Sequence, residues 1–152
     1  MSKKIKVDFY GPGNTKYQQI IKNLGLGHIV TFHPRVSKNE ILQKLFNADL
    51  SLLIHGFSKL TASSTSTKLF EYMATGKPIL AIMPESEASE ILKNHPNTCI
   101  VTNPNTQKAI AFLAERFKKW EQNEPFHIRK IDYEFNRKGQ ANQLANIFNQ
   151  IV

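Results

Sequence analysis

Apolar positions along the chain recur with a period near two in short runs and near 3.6 in longer ones, and the two kinds of run alternate from end to end. Lys4 to Tyr10 reads as a strand. The Gly11-Pro12-Gly13-Asn14 turn then leads into a helix over Thr15 to Leu24, which Gly25 and Gly27 end. His28 to Phe32 is the next predicted strand. Ser37-Lys38-Asn39-Glu40 has the form of a capping box and opens a helix whose apolar face is Ile41, Leu42, Leu45 and Phe46. Leu50 to Ile54 and Ile79 to Met83 are short, nearly continuous apolar runs of the kind found in strands covered on both faces. A helix near Ser86 to Lys93, with Glu85, Glu87 and Glu90 placed to favour the positive end of its dipole, precedes a strand at Thr98 to Val101. Ile110, Leu113, Ala114 and Phe117 mark a longer helix, and the series Leu113, Phe117, Trp120 is expected to face the core. Gln122 to Glu134 is polar and irregular, and a terminal amphipathic helix carries Ala141, Leu144, Ala145, Ile147, Phe148 and Ile151.

Strands alternating with helices over the whole length predict an α/β fold: a Rossmann-like, doubly wound, mainly parallel sheet of about five strands with helices on both faces. No internal repeat or low-complexity linker interrupts it, so residues 1–152 are expected to form one domain. Ligands of such sheets sit beyond the carboxyl ends of the strands, which makes the loops after Tyr10, Phe32, Ile54 and Met83 the expected rim of a site.

Between two of those strands lies Ser63 to Met83, where a hydroxyl-rich loop meets a short helix and a buried strand. Ser63, Ser64, Thr65, Ser66 and Thr67 offer hydroxyls and N–H groups where a helix N-terminus leaves donors unpaired and its dipole favours an anion such as a diphosphate. From Leu69 the apolar residues Leu69, Phe70, Met73 and Ala74 follow helical spacing. Gly76 stands at a left-handed C-terminal cap and Pro78 prevents continuation, so the helix is about two turns long. At roughly 100° per residue, Glu71 lies about 130° from the centre of the apolar stripe, pointing away from the core. A ribose diol suits it.

Composition narrows the partners. The apolar fraction of 41% and ten phenylalanines describe a globular chain. No apolar run reaches the ~20 residues of a membrane span, and Met1-Ser2-Lys3-Lys4 lacks the apolar core of a signal peptide, so the expected compartment is the cytoplasm. Cys99 is alone, which excludes a disulfide framework, and is expected to be buried. Twenty Lys and Arg against twelve Asp and Glu, a net charge of +8, favour anionic partners; Lys118 with Lys119, Arg129 with Lys130 and Arg137 with Lys138 read as dispersed solvated charge. No nucleic-acid module accompanies them.

The run Lys68-Leu69-Phe70-Glu71-Tyr72-Met73-Ala74-Thr75-Gly76-Lys77-Pro78-Ile79-Leu80-Ala81 resembles the signature of group 1 glycosyltransferases, and VDFYGPG with GLGHIVTFHPRVSKNEILQKLFNADLSLL is similar to the region of that family ahead of its donor loop. The resemblance implies the C-terminal, nucleotide-sugar-binding domain of a GT-B enzyme, with a nucleoside diphosphate sugar as donor, no further cofactor, and an N-terminal acceptor domain as partner. It implies that Glu71 binds the donor ribose. The turn His33-Pro34-Arg35-Val36 would lie near the nucleobase, with Arg35 and Val36 as contacts. A second family glutamate, eight positions before Glu71, is here Ser63. Family members begin this domain with one more strand and helix, whose strand lies centrally. Nothing here matches that unit, which leaves a fragment, an exchanged segment or a different strand order open. Because many similar enzymes act on lipid-linked acceptors, a membrane surface, reached peripherally from the inner face, is the favoured use of the positive charge.

Candidate donor contacts are therefore Ser63, Ser66, Thr67, Lys68, Glu71, Gly11, Gly13, Arg35 and Val36, the glycines because they let backbone approach a ligand. Lys68 would neutralise diphosphate charge. His55 follows a strand toward the same rim, where Gly56-Phe57 suits loop packing equally well. His28, His95 and His127 lack metal-ligand spacing, so no metal is expected. No catalytic base is identifiable. Two rivals share the fold: a non-catalytic nucleotide-sensing or interaction module, and half of a nucleotide-sugar epimerase.

Overall fold

The computed structural model describes residues 4–57, 66–103, 106–124 and 137–150. Among the described residues five strands alternate with helices, and a sixth helix follows the last: β1 (Val7–Tyr10), α1 (Thr15–Asn23), β2 (Val30–His33), α2 (Lys38–Asn47), β3 (Ser51–Ile54), α3 (Thr67–Ala74), β4 (Ile79–Ile82), α4 (Glu87–Lys93), β5 (Thr98–Val101), α5 (Thr106–Glu121) and α6 (Arg137–Asn149). Every pairing is parallel, as the βαβ pattern requires. The strands fall into two sheets, β1-β2 and β3-β4-β5, where one sheet of about five was expected. Among the described residues no strand continues one ladder into the other. The chain divides accordingly into two compact units, residues 1–47 and 48–152.

In the second unit the sheet is buried on both faces. Ile79, Ala81 and Met83 point one way, joining Leu53, Leu69 and Met73 of α3, and Ala88 and Leu92 of α4, in one core cluster. Leu80 points the other way with Cys99 and Val101, against Ala109 and Phe112 of α5. This alternation along unbroken apolar strands is the cause of the two-sided cover.

The face of α5 differs from expectation. Leu113 and Trp120 remain 40% and 41% exposed, and Phe117, half-buried, packs on Trp120 at 5.7 Å rather than in the core. The helix is turned by one residue because Arg116 anchors it. Its guanidinium donates to Asn97 Oδ1 at 3.1 Å and lies 5.4 Å from the Phe112 ring, which draws Phe112 and not Leu113 onto the sheet. The apolar residues Leu144, Ile147 and Phe148 of α6 are likewise exposed.

In the first unit β1 and β2 pair Val7 with Val30 and Tyr10 with His33. Val7, Phe9, Val30 and Phe32 share one half-buried face, with the Phe9 and Phe32 rings stacked at 5.4 Å. Both strands are shorter than expected at their amino ends. His28 belongs to the preceding turn, where its Nδ1 bonds the Gly25 carbonyl at 3.0 Å, and β2 runs one residue further, to His33. Gly25, at φ 69°, ends α1 in the left-handed conformation that favours glycine. Ser37 and Glu40 form the expected capping box, with Ser37 N–H and Oγ–H donating to Glu40 Oε2 and Glu40 N–H donating to Ser37 Oγ.

Candidate functional site at the start of α3

The short helix α3 is built as the pattern predicts. Ser66 is its N-cap in extended conformation, and its Oγ accepts the Lys68 N–H at 3.3 Å. At the far end the Thr75 hydroxyl donates to the Tyr72 carbonyl at 2.7 Å, and Gly76 turns the chain at φ 65° before buried Pro78. Leu69 and Met73 fasten the inner face into the core. Because α3 runs back to the start of β4, its N-terminus lies at the carboxyl edge of the β3-β4-β5 sheet, where α/β folds receive ligands.

Thr67 and Lys68 are exposed there and Ser66 is half-buried. Glu71 lies roughly 160–180° around the helix from buried Leu69 and Met73. It is half-buried and outside the core cluster. Its charge reaches the neighbouring Tyr72 hydroxyl, whose pKa is raised first by burial and then by that carboxylate. The Ser66 hydroxyl accepts from the helix, and the dipole of α3 adds an attraction for anions at this end. Ser63 lies outside the described residues.

The other candidates belong to the first unit, at the carboxyl ends of β1 and β2. Gly11 has φ 144°, a conformation side chains rarely adopt, and its N–H donates to the His33 carbonyl at 3.2 Å, joining the two turns. A Cβ on Gly13 would meet only the flexible end of Gln18, at 2.9 Å, so Gly11 is the position that requires glycine. Arg35 is exposed and Val36 half-buried.

Sequence reasoning passed over one arrangement here. His33 Nε2 and Asp8 Oδ1 stand 2.6 Å apart, and the His33 ring stacks on Tyr10 at 4.5 Å and 11°. The signal was the two-residue period, which sets Asp8, Tyr10, Thr31 and His33 on one polar face of the pair.

His55 is half-buried, and its N–H extends the β3-β4 ladder by donating to Ile82 O at 2.8 Å. His95 ties α3 to β5 through Met73 O at 3.3 Å and Thr98 Oγ1 at 3.1 Å. His127 lies outside the described residues. Among the described residues no three His, Cys, Asp or Glu side chains converge on a point that could hold a metal ion, and no helix is long and apolar enough to cross a membrane.

A parallel α/β fold whose sheet edge carries a hydroxyl-capped helix with an outward carboxylate one turn on defines a Rossmann-like protein. The glycosyl transferases group 1 family matches residues 1–137, and the chain belongs to that family. Membership assigns it to glycosyl transfer, from a nucleotide-sugar donor to an acceptor. No curated protein matches the chain.

Proposed function

We propose that residues 1–152 are the donor-binding domain of a GT-B hexosyltransferase and hold a nucleoside diphosphate sugar, while an N-terminal domain supplies the acceptor. The observation that supports this reading best is the start of α3, with Ser66 capping, Thr67 and Lys68 exposed, and Glu71 turned away from Leu69 and Met73.

In this reading the diphosphate sits at the mouth of α3. Charge that develops on it as the sugar departs is stabilised by first-turn dipoles, the Ser66 and Thr67 hydroxyls and the Lys68 ammonium. Glu71 accepts hydrogen bonds from the ribose diol, which fixes the nucleotide one turn away from the reacting bond. Ser63, Gly11, Gly13, Arg35 and Val36 are further candidate donor contacts. The reaction draws on no cofactor beyond the donor. The acceptor is a glycan or a lipid-linked sugar in polysaccharide synthesis, met in the cytoplasm by peripheral association with a membrane. The domain alone transfers no sugar, because the acceptor and the groups that position it belong to the N-terminal domain.

Calorimetric titration with UDP, GDP and ADP tests the proposal. One nucleotide should bind, and Glu71→Ala should weaken it about tenfold or more, since a charge-assisted hydrogen bond contributes roughly 1.5–3 kcal/mol. An unchanged dissociation constant in Glu71→Ala removes the ribose assignment. Silence from all three nucleotides would leave an interaction module as the better account.

A further inference from the structure

The positive charge of this chain is not spread evenly. Residues 1–47 hold eight Lys and Arg against two acids, Asp8 and Glu40, so this first unit carries most of the net charge of +8. From Phe9 to Asn39 no acidic residue occurs, while Lys16, Lys22, Arg35 and Lys38 do. Within that acid-free stretch lies α1. Its apolar residues Tyr17, Ile20, Ile21 and Leu24 follow the i, i+3, i+4, i+7 spacing of a helix stripe, the kind normally laid onto a sheet. Here only Ile21 is half-buried; Tyr17 is 58%, Ile20 42% and Leu24 64% exposed. No described residue of the unit is fully buried.

An exposed apolar stripe flanked by Lys16, which lies roughly 75° around the helix from its centre, with no acid nearby, is matched to a surface that is anionic outside and apolar just beneath. We propose that α1 docks on an anionic lipid bilayer, with Ile20 and Leu24 entering the headgroup boundary, Tyr17 at the interface, and Lys16 paired with a lipid phosphate. A second copy of the chain would bring like charge against like. A nucleic acid would satisfy the lysines while leaving Ile20 and Leu24 in water. The inference deepens the peripheral-membrane part of the proposed function and stands apart from the donor assignment, since none of its residues is a donor contact.

The test is co-sedimentation of the whole chain with vesicles of phosphatidylcholine alone and with added phosphatidylglycerol, at low and high salt. Binding should require the anionic lipid and fade with salt. Lys16→Gln should weaken it about fivefold, and Ile20→Ser with Leu24→Ser by more than about tenfold. Because both positions are exposed, circular dichroism should show these variants folded. A Tyr17→Trp, Trp120→Phe chain gives a second readout, blue-shifted emission quenched by brominated acyl chains. Absence of sedimentation, equal binding to both lipids, or binding indifferent to the Ile20 and Leu24 changes would overturn the proposal, as would a duplex oligonucleotide competing fully with the vesicles. Nucleotide affinity measured on the same Ile20→Ser, Leu24→Ser chain should stay unchanged, so failure here is separable from failure of the donor site.

Discussion

Ser66 Oγ accepts the backbone N–H of Lys68 at 3.3 Å, so the residue that opens the candidate site also holds its helix together. Two functions on one hydroxyl can be separated by substitution. Ser66→Ala removes an N-cap and should destabilise the fold by about 1 kcal/mol, read as a lower urea midpoint. Ser66→Asp restores a capping oxygen and adds negative charge at the same point. It should recover most of that stability while weakening nucleotide binding below the level of Ser66→Ala. If Ser66→Asp bound nucleotide as well as the unaltered chain, the diphosphate would not sit at the mouth of α3.

The inner face of α3 carries a second prediction. Leu69 is fully buried in one cluster with Leu53, Met73, Ile79 and Leu92. Leu69→Ala should therefore cost about 2–5 kcal/mol in urea unfolding. Leu113→Ala, on the exposed side of α5, should cost less than about 1 kcal/mol. A larger loss at Leu113 than at Leu69 would mean that α5 packs in the orientation its sequence pattern suggests.

That contrast shows where the sequence was readable. Strands β3, β4 and β5 announce themselves as unbroken apolar runs, and α3 is bounded by the rigid signals of Ser66, Gly76 and Pro78, so both lie within a residue of expectation. The face of α5 was not legible because it turns on Arg116, Asn97 and Phe112, a contact between residues nineteen positions apart for the hydrogen-bonded pair. Division of the strands into two sheets is also a long-range property: a parallel ladder depends on which strands are present, and local periodicity is identical with or without a central neighbour. The placement of Glu71 away from the core was readable from helix phase alone. The Asp8 and His33 pair was not, because the register that joins them spans twenty-five residues.

The capping box of α2 sets an acid dependence. Hydrogen bonds from the Ser37 hydroxyl, then from its N–H, with a smaller contribution from Lys44, hold the Glu40 carboxyl below its ordinary value of 4.5. A depressed carboxyl adds stability above its unfolded value and loses it as pH falls through the lower folded one. Glu40 should titrate below 4.5 in a carboxyl-carbon NMR series, and Ser37→Ala should raise that midpoint toward the ordinary value. An unmoved midpoint in Ser37→Ala would show that the box does not form in solution.

Cys99 supplies the complementary test at alkaline pH. It is 5% exposed on β5, between Leu80 and Val101 and against α5, and burial raises its thiol pKa while Lys108 opposes this weakly. An acid whose folded value is raised favours the folded chain below the unfolded value and loses that contribution as pH climbs through the folded one, so the contribution should fade only above the ordinary thiol value of 9.0. Reactivity gives the direct reading. The thiolate is the nucleophile, and here it is both scarce and enclosed, so alkylation by iodoacetamide at pH 8 should run at least about a hundredfold slower in the native chain than in urea. A native rate close to the unfolded one would mean that the face of β5 beneath α5 is open to solvent, and with it the second core cluster that fixes this sheet.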